Sequence, residues 1–267
     1  MLNTLNSLSG PVSAPAVPPL RVEVVPVGYY LDRVVVPIIQ HNSDRVYFLR
    51  ARDDRNDSAK GFREEATRQL RKWKPRLDIR VVRTELWDLL DAVESFSGVI
   101  GREVEAGNSV WVNLSTGSKL EAVAAALACM AHGANPYYVR MRSYERGAPR
   151  EPLATGVGSV DPVPCYAIRP PSELGLAIMT LLSENRPGLS KKEILEGLAD
   201  SQLIPTTRKD GREATPQAAY GRLQAALDEL GPTPGLITIQ GVRKSGRVQI
   251  TLQGLLALRL FSPRLPR

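Results

Sequence analysis

Residues 113–119, with the sequence NLSTGSK, have the composition of an anion-binding turn. They follow a short β-branched run at 109–112 and precede an apolar helix-forming run at 120–131. Backbone N–H groups can approach a ligand closely at Gly117, because glycine has no side chain in the way. The first amides of the following helix add a partial positive charge, and Lys119 adds a full one. We therefore predict a site for a phosphate or another polyanion here.

An ordinary helix cap explains the same residues, and the sequence leaves both interpretations open. Serine and threonine commonly cap helices, and glycine is common in turns. The stretch lacks the Gly-x-x-x-x-Gly-Lys-Ser/Thr pattern of a Walker A loop and the Gly-x-Gly-x-x-Gly pattern of dinucleotide-binding turns. ATP hydrolysis and dinucleotide redox chemistry therefore lack their usual sequence support.

The composition indicates a folded, basic protein. The chain has 267 residues, of which 43% are hydrophobic, so it can form one large or two smaller domains. Its formal net charge of +7 permits an acidic partner such as nucleic acid. Two cysteines and two histidines show no zinc-ligand spacing, so we expect no metal and no cofactor.

Neither a membrane span nor a targeting segment is predicted. The longest apolar run, at 122–131, is too short to cross a bilayer. Residues 1–19 contain no basic residue and four prolines, which fits a disordered tail rather than a signal peptide. We therefore expect a cytoplasmic protein with no membrane partner.

The next part of the chain, residues 20–142, alternates between strand and helix patterns. We predict five strands at 20–27, 45–49, 78–83, 109–112 and 135–141, with helices at 32–40, 59–73, 86–106 and 120–131. This alternation predicts an α/β fold, a Rossmann-like parallel sheet with helices on both faces. Ligands of such sheets bind beyond the carboxyl ends of the strands, and the loops 28–33, 50–57 and 115–119 meet that requirement.

A second, α+β module is predicted for residues 172–267. Residues 143–171, rich in glycine and proline, are interpreted as a linker with a strand near 165–168. Three helices follow, starting at Ser172, at the Ser190 capping box and at Thr215, and then two strands at 236–240 and 248–252 and a last helix at 254–260. This order is that of a winged helix-turn-helix domain.

The second module also contains candidate residues for binding double-stranded DNA. We expect the helix that starts at Thr215 to enter the major groove and a basic hairpin tip to hold phosphates. The residues are Thr215, Gln217, Tyr220 and Arg222 on the helix and Arg243, Lys244 and Arg247 on the hairpin. An insertion at 200–214 adds Arg208, Lys209 and Arg212, which either touch phosphates or belong to a solvated loop.

Residues 25–33 (VPVGYYLDR) and 110–119 (VWVNLSTGSK) resemble the two ligand-loop motifs of CARF domains, the CRISPR-associated Rossmann fold. With a winged helix appended, the chain resembles archaeal CARF transcriptional regulators of CRISPR-Cas genes. The resemblance covers residues 20–142 and, in the order of elements, 172–267. It implies a homodimer whose loops share one pocket for a cyclic oligoadenylate. The ligand-binding residues implied are Gly28, Tyr29, Tyr30, Arg33, Asn113, Ser115, Thr116, Gly117, Ser118 and Lys119.

Three functions follow from these patterns, and a ligand-responsive DNA-binding regulator is the one we expect. The alternative is a metal-independent ring nuclease that positions a ribose 2′-hydroxyl in the pocket, with Ser118 and Lys119 stabilising charge. The third is an adaptor that does not bind DNA. His41 and His132 are not placed as general bases, so no catalytic residue is assigned.

Overall fold

Strands and helices alternate through the N-terminal part of the chain, as the sequence predicts. The computed structural model describes residues 18–53, 57–144, 154–201, 203–204, 215–231, 233, 235–241 and 246–262. The strands here are β1 (Arg21–Pro26), β2 (Arg45–Ala51), β3 (Asp78–Thr84), β4 (Ser109–Asn113), β5 (Asn135–Tyr144) and β6 (Ala154–Pro162). The helices are α1 (Leu31–Gln40), α2 (Lys60–Trp73), α3 (Leu89–Glu105) and α4 (Lys119–His132).

The six strands form one mixed sheet in the order β3-β2-β1-β4-β5-β6. The first five are mutually parallel, and β6 pairs antiparallel with β5. The chain builds outward from β1 to β3 and then returns to place β4 on the other side of β1. The order therefore reverses between β1 and β4, which creates a crevice beyond their carboxyl ends. This arrangement confirms the predicted Rossmann-like fold.

Apolar layers cover both faces of the sheet. Successive side chains of a strand point to opposite faces, so Val24 packs with α3 and α4 while its neighbour Val25 packs with α1 and α2. The first layer includes Phe96, Ile100, Ala124 and Ala128, and the second includes Val34, Ile38, Ala66 and Leu70. Strands buried on both faces explain the continuous hydrophobic runs in the sequence.

Helix α4 is less buried than its apolar sequence predicts. Ala124, Ala125 and Ala128 pack against the sheet, but Val123 is 51% exposed. Leu120 and Leu127 are only partly buried. An apolar stripe on α4 therefore remains uncovered in the single chain.

The segment expected to be a linker contains the sixth strand. Strand β6 lies N-terminal to the predicted strand at 165–168, where the structure has none. Because β6 contains glycines and few apolar side chains, its sequence lacks the alternating pattern that predicts a strand. Its pairing with β5 is formed by backbone hydrogen bonds, which need no such pattern. The following residues lie along α4 and β5, because the Val163 amide donates to the Pro136 carbonyl (2.9 Å) and the Ile168 amide to the Met130 carbonyl (3.0 Å).

The C-terminal part has the predicted order of three helices, a hairpin and a helix. These are α5 (Glu173–Glu184), α6 (Lys191–Gly197), α7 (Pro216–Leu230), β7 (Ile237–Gln240), β8 (Arg247–Ile250) and α8 (Leu252–Phe261), with a short 3-10 helix at Ala199–Ser201. The predicted caps are confirmed: Ser172 caps α5, and Ser190 and Glu193 form a capping box on α6. Arg208, Lys209 and Arg212, and residues 1–17 of the predicted tail, lie outside the described residues.

The last helix joins the two parts of the chain. Leu260 of α8 is buried in the core layer of α3 and α4, whereas Ala257 and Leu258 pack with the C-terminal core. Arg259 forms an ion pair with Glu94 of α3, and His132 at the end of α4 hydrogen-bonds the Leu260 carbonyl (3.0 Å). Among the helices that the structure describes, none is both long and apolar enough to cross a membrane.

Candidate ligand-binding site

A cavity of about 220 Å³ lies beyond the carboxyl ends of β1, β2 and β4, at the reversal of strand order. All three loops predicted to bind a ligand contribute to it, and the loop before α3 closes one side. The lining residues are Val27, Gly28, Tyr29, Tyr30, Arg33, Leu49, Arg50, Ala51, Asp57, Ser58, Ala59, Leu86, Trp87, Ser115, Thr116, Gly117, Ser118 and Glu121. The structure therefore brings together both loop motifs singled out in the sequence.

Asn113 fastens the two motif loops to each other. Its Nδ2 donates to the Arg33 carbonyl (2.8 Å), and its Oδ1 accepts from the amide (2.9 Å) and hydroxyl (2.5 Å) of Ser115. Arg33 completes the link by donating to the Ser115 carbonyl (3.1 Å). Asn113 is fully buried and does not line the cavity. Its place in the structure is that of a positioning residue, not of a ligand contact.

Ser118 and Glu121 form a capping box at the start of α4. The Ser118 hydroxyl accepts from the Glu121 amide (3.2 Å), and Glu121 Oε2 accepts from the Ser118 amide (2.6 Å). The helix-cap interpretation therefore holds for Ser118. The amides of Ser115 and Ser118 are both bonded within the chain, so anion binding at this turn depends on the other amides, the hydroxyls and nearby cations.

Two buried arginines bring positive charge to the cavity. Arg33 and Arg50 are each less than a tenth exposed, and both line it. The Arg50 guanidinium lies 3.7 Å from Asp57, a carboxylate that also pairs with Arg63 at 2.7 Å. Lys119, by contrast, is exposed and does not line the cavity. The sequence identified Arg33 but missed Arg50, whose position inside a charged loop gave no sign of burial.

Two exposed aromatic side chains border the cavity. Tyr29 packs edge-on against Phe62, with ring centroids 5.6 Å apart, and its hydroxyl lies 2.6 Å from the Ser58 hydroxyl. Trp87, just before α3, is 70% exposed. Exposed aromatic faces beside cationic groups suit the stacking of nucleobases. Trp87 falls inside the helix predicted at 86–106, whereas α3 begins at Leu89, so its position in the sequence did not single it out.

Two buried oxygens on residues that line the cavity have neither a hydrogen bond nor an ion pair within the described part of the chain. They are Thr116 Oγ1 and Glu121 Oε1, on residues that are 4% and 3% exposed. Burial raises the pKa of the Glu121 carboxyl above its ordinary value, against the opposing effect of two hydrogen bonds with Ser118. The sequence did not single out Glu121, because a glutamate at this position also suits a capping box.

Neither histidine lines the cavity. His41 Nδ1 lies 2.5 Å from buried Glu23, and its ring stacks on Trp111 with centroids 4.4 Å apart. His132 lies at the opposite end of α4, against α8. The described residues contain no group of three or more His, Cys, Asp or Glu side chains arranged to hold a metal ion.

The candidate DNA-binding side chains on α7 and at its N-cap are exposed. They are Thr215, Gln217, Tyr220 and Arg222. At 3.6 residues per turn, Tyr220 and Arg222 point about 160° apart and therefore lie on opposite flanks. Arg222 borders a depression with Ser172 and Glu229 beside the start of α5.

Of the three hairpin cations predicted to hold phosphates, the structure describes Arg247. Arg247 donates to the Gly188 carbonyl (2.6 Å) and lies 3.8 Å from Glu193, so it fastens the hairpin to the start of α6. Arg243 and Lys244 lie outside the described residues.

Comparisons with known proteins give weak structural similarities. No curated protein matches this chain. Csm6 from Enterococcus italicus, solved with cyclic hexa-2′-fluoro-hexa-dAMP, matches with a TM-score of 0.41 and 9% identity over 80% of this chain and 56% of that one. Can2 from Sulfobacillus thermosulfidooxidans, solved with cyclic tetra-adenylate, matches at 0.35 and 15% identity over 91% of this chain and 64% of that one. Protein VC1899 from Vibrio cholerae matches at 0.40 and 13% identity, over 90% and 64%.

The chain thus spans less than two thirds of the length of these three proteins. Scores this low do not transfer a ligand or an activity from them to this chain. The comparison with protein-family models places a match on the sheet domain alone. Residues 21–144, from the start of β1 to the end of β5, match the family described as HFX_2341_N:-like, N-terminal.

Proposed function

We propose that this chain is a DNA-binding transcriptional regulator, of CRISPR-Cas genes, whose N-terminal domain senses a cyclic oligoadenylate. The observation that carries the proposal is the cavity between loops 28–33 and 115–119, with buried Arg33 and Arg50 in its wall and Trp87 exposed at its border. Phosphates need cations and N–H or O–H donors, and nucleobases need aromatic faces. A ring of nucleotides carries both groups and would use both features of the cavity.

The cavity's size supports a site shared by two copies of the chain. Pockets for small molecules are usually about 300–1,000 Å³, whereas this one is about 220 Å³. A single copy would then hold only part of a ring of nucleotides. A homodimer supplies two equal half-sites, which suits a ring that has two-fold symmetry.

The uncovered stripe on α4 is the surface we propose for this dimer. Val123 is exposed and Leu120 and Leu127 are partly buried, so a second copy of α4 would cover apolar surface. Ser118, which caps the start of the helix, lines the cavity. Contact between two α4 helices would therefore bring the two cavities close to the same axis.

The C-terminal part supports DNA binding by its shape and charge. Residues 172–267 contain 13 basic against 9 acidic residues. Three helices followed by a hairpin leave the outer face of α7 exposed, with Gln217 at its start. Such a face, flanked by a hairpin, is the arrangement by which winged helices enter the major groove.

Helix α4 offers a route from the ligand to the DNA-binding part. It extends about 21 Å, from the cap at Ser118 to His132. His132 contacts Leu260 of α8, and α8 directly follows the hairpin. A ligand that shifts the start of α4 would therefore also move α8, which supports the hairpin. Coupling between two sites requires an element of this kind, whose position both sites influence.

Three measurements test this function. Calorimetric titration with cyclic tetra-adenylate and cyclic hexa-adenylate should give heat with at least one ring, and absence of heat with both would defeat the sensing role. Gel-shift titration of the DNA upstream of the protein's own gene, with and without the ring, should show binding that the ring alters. Absence of any shift would favour the adaptor. Chromatography should recover the ring intact, whereas linear fragments would favour the ring nuclease.

A further inference from the structure

We propose that Glu121, together with Thr116, recognises a ribose 2′-hydroxyl and so makes the cavity select ribonucleotide over deoxyribonucleotide rings. This inference rests on the proposed function and names what the site discriminates. Its basis is two buried oxygens on residues that line the cavity, Glu121 Oε1 and Thr116 Oγ1, which have neither a hydrogen bond nor an ion pair within the described part of the chain.

An unpartnered buried oxygen calls for a hydrogen-bond donor from the ligand. Nearly all buried polar groups in proteins have a partner, and leaving one without a partner is unfavourable. An ionised carboxylate can only accept hydrogen bonds. The phosphates of an oligoadenylate carry only acceptor oxygens and negative charge, so Glu121 does not bind them. Two donors remain on the ligand: the 2′-hydroxyl and the amino group of adenine.

The position of Glu121 favours the hydroxyl. Glu121 Oε2 accepts from the Ser118 amide (2.6 Å) and would lie 2.8 Å from a β-carbon built on Gly117. The carboxylate therefore sits beside the turn proposed to hold a phosphate. In RNA the 2′-hydroxyl is attached next to the carbon that bears the 3′-phosphate, whereas the adenine amino group is at the far edge of the base. Dinucleotide-binding sheets use the same pairing, with a carboxylate on the ribose and a helix start on the phosphate.

The other acidic side chain in the cavity wall is already paired. Asp57 lies 2.7 Å from Arg63 and 3.7 Å from Arg50. Glu121 has no basic partner among the ion pairs of the described residues, and its contacts are those with Ser118. Of the two carboxylates, Glu121 is therefore the one free to accept from a ligand.

The test compares rings that differ only at the 2′ position. Cyclic tetra- and hexa-adenylate are titrated by calorimetry against their 2′-fluoro counterparts, in which fluorine replaces the hydroxyl and cannot donate. We expect the wild type to bind the ribose ring about tenfold more tightly, the value of one hydrogen bond to a charged group. Equal affinity for the two rings would overturn the role of Glu121 and leave the sensing function standing, whereas no binding of either ring would overturn both.

Variants of Glu121 test whether its side chain causes the preference for the ribose ring. Glu121→Ala should bring the ratio of the two affinities close to one, and a retained tenfold ratio would overturn the proposal. The ratio is the readout because removal of a negative charge is expected to raise the affinity for both polyanions. Glu121→Gln keeps the shape and the capping contact, so it serves if the alanine variant fails to fold, and it should lower the ratio to about threefold. An unchanged ratio in Glu121→Gln would equally overturn the proposal.

The chain provides a matched control in its second capping box. Glu193 accepts from the Ser190 amide (2.7 Å) on α6, in the same arrangement as Glu121 on α4. Glu193→Ala removes a capping carboxylate without touching the cavity. It should leave the wild-type ratio unchanged, and a lost ratio in this variant would show that capping rather than ligand contact sets the preference.

Discussion

Gly28 and Gly117 meet backbone to backbone, each on one of the two loops that border the cavity. A β-carbon built on Gly28 would lie 2.9 Å from the Gly117 amide nitrogen. Gly117 itself has φ of +75°, and a β-carbon there would lie 2.8 Å from both Glu121 Oε2 and Pro26 Cβ. The two loops therefore interlock only because neither residue has a side chain.

The contact between these glycines predicts that even an alanine at position 28 destabilises the fold. Gly28→Ala should lower the free energy of unfolding by about 1–3 kcal/mol, because the backbone of Gly117 must move away. It should also weaken ring binding, since both loops shift. Urea denaturation and calorimetric titration measure the two effects.

The matched control is Gly61→Ala in α2, where a β-carbon would meet nothing within 4 Å. Alanine favours a helix over glycine by up to about 1 kcal/mol, so this variant should be as stable as the wild type or more so. Equal stability of Gly28→Ala and Gly61→Ala would contradict the close approach of the loops.

Much of this architecture was predictable because each element carries a local signal. Buried parallel strands read as apolar runs, and the capping box at Ser190 and the proline at position 216 mark helix starts in the sequence alone. The loops at 28–33, 50–57 and 115–119 were predicted to converge because parallel strands present their carboxyl ends at one edge. The cavity confirms that convergence.

The remainder depends on tertiary contacts that no local pattern encodes. The burial of Arg50 and Glu121 depends on loops distant in sequence that fold over them, and an exposed charge has the same local sequence. Strand β6 has little apolar patterning because only its backbone pairing with β5 defines it. The docking of α8 on α3 and α4 depends on Leu260, whose apolar character fits either core.

Lys119 should contribute to ring binding through long-range charge alone. Because it is exposed and does not line the cavity, Lys119→Ala should weaken binding only about two- to fivefold, an effect that high salt removes. Stability should not fall, since a lysine in the first turn opposes the helix dipole. Calorimetry at two salt concentrations checks this, with exposed Lys192→Ala on α6 as the charge control. A salt-independent loss of a hundredfold would instead place Lys119 on the ligand.

We expect Arg247 to stabilise the fold and Arg243 and Lys244 to bind DNA phosphates. Arg247 bonds to the Gly188 carbonyl, so Arg247→Ala should destabilise the C-terminal part by about 1–3 kcal/mol. The Arg243→Ala, Lys244→Ala double variant should reduce the slope of log affinity for DNA against log salt by about two, one phosphate contact for each cation. An unchanged slope in the double variant would refute phosphate binding by the hairpin tip.

A charge on the apolar stripe of α4 should separate the dimer. Val123→Glu would place a carboxylate in the proposed α4–α4 contact, and we expect the dimer to dissociate at least tenfold more readily. Sedimentation of the full chain at micromolar concentration measures this, because removing the C-terminal part would uncover the surface beneath Leu260. Val81→Glu, on the half-exposed edge strand β3, is the control. A monomeric wild type would refute the dimer itself.

His132 should make the stability of the α4–α8 contact depend on pH. Burial lowers the pKa of His132 below its ordinary value of 6.5, although the hydrogen bond to Leu260 and the charge of Glu105 act in the opposite direction. The folded chain thus favours the neutral ring, while the unfolded chain takes up a proton near pH 6.5. The stabilising contribution is therefore complete above pH 6.5 and is lost as the pH falls toward the lowered pKa, by at most about 1.4 kcal/mol per pH unit.

The difference between wild type and His132→Gln isolates this contribution. Glutamine can still donate to the Leu260 carbonyl but does not titrate, so the variant should lack the loss of stability between pH 7.5 and pH 5.5. Glu23 and Glu121, whose pKa values are raised by burial, remain in both proteins and cancel in the comparison. Urea denaturation at both pH values gives the free energies of unfolding. Parallel pH profiles for the two proteins would mean that His132 does not titrate differently in the folded chain, and that α8 docks on α4 independently of its charge.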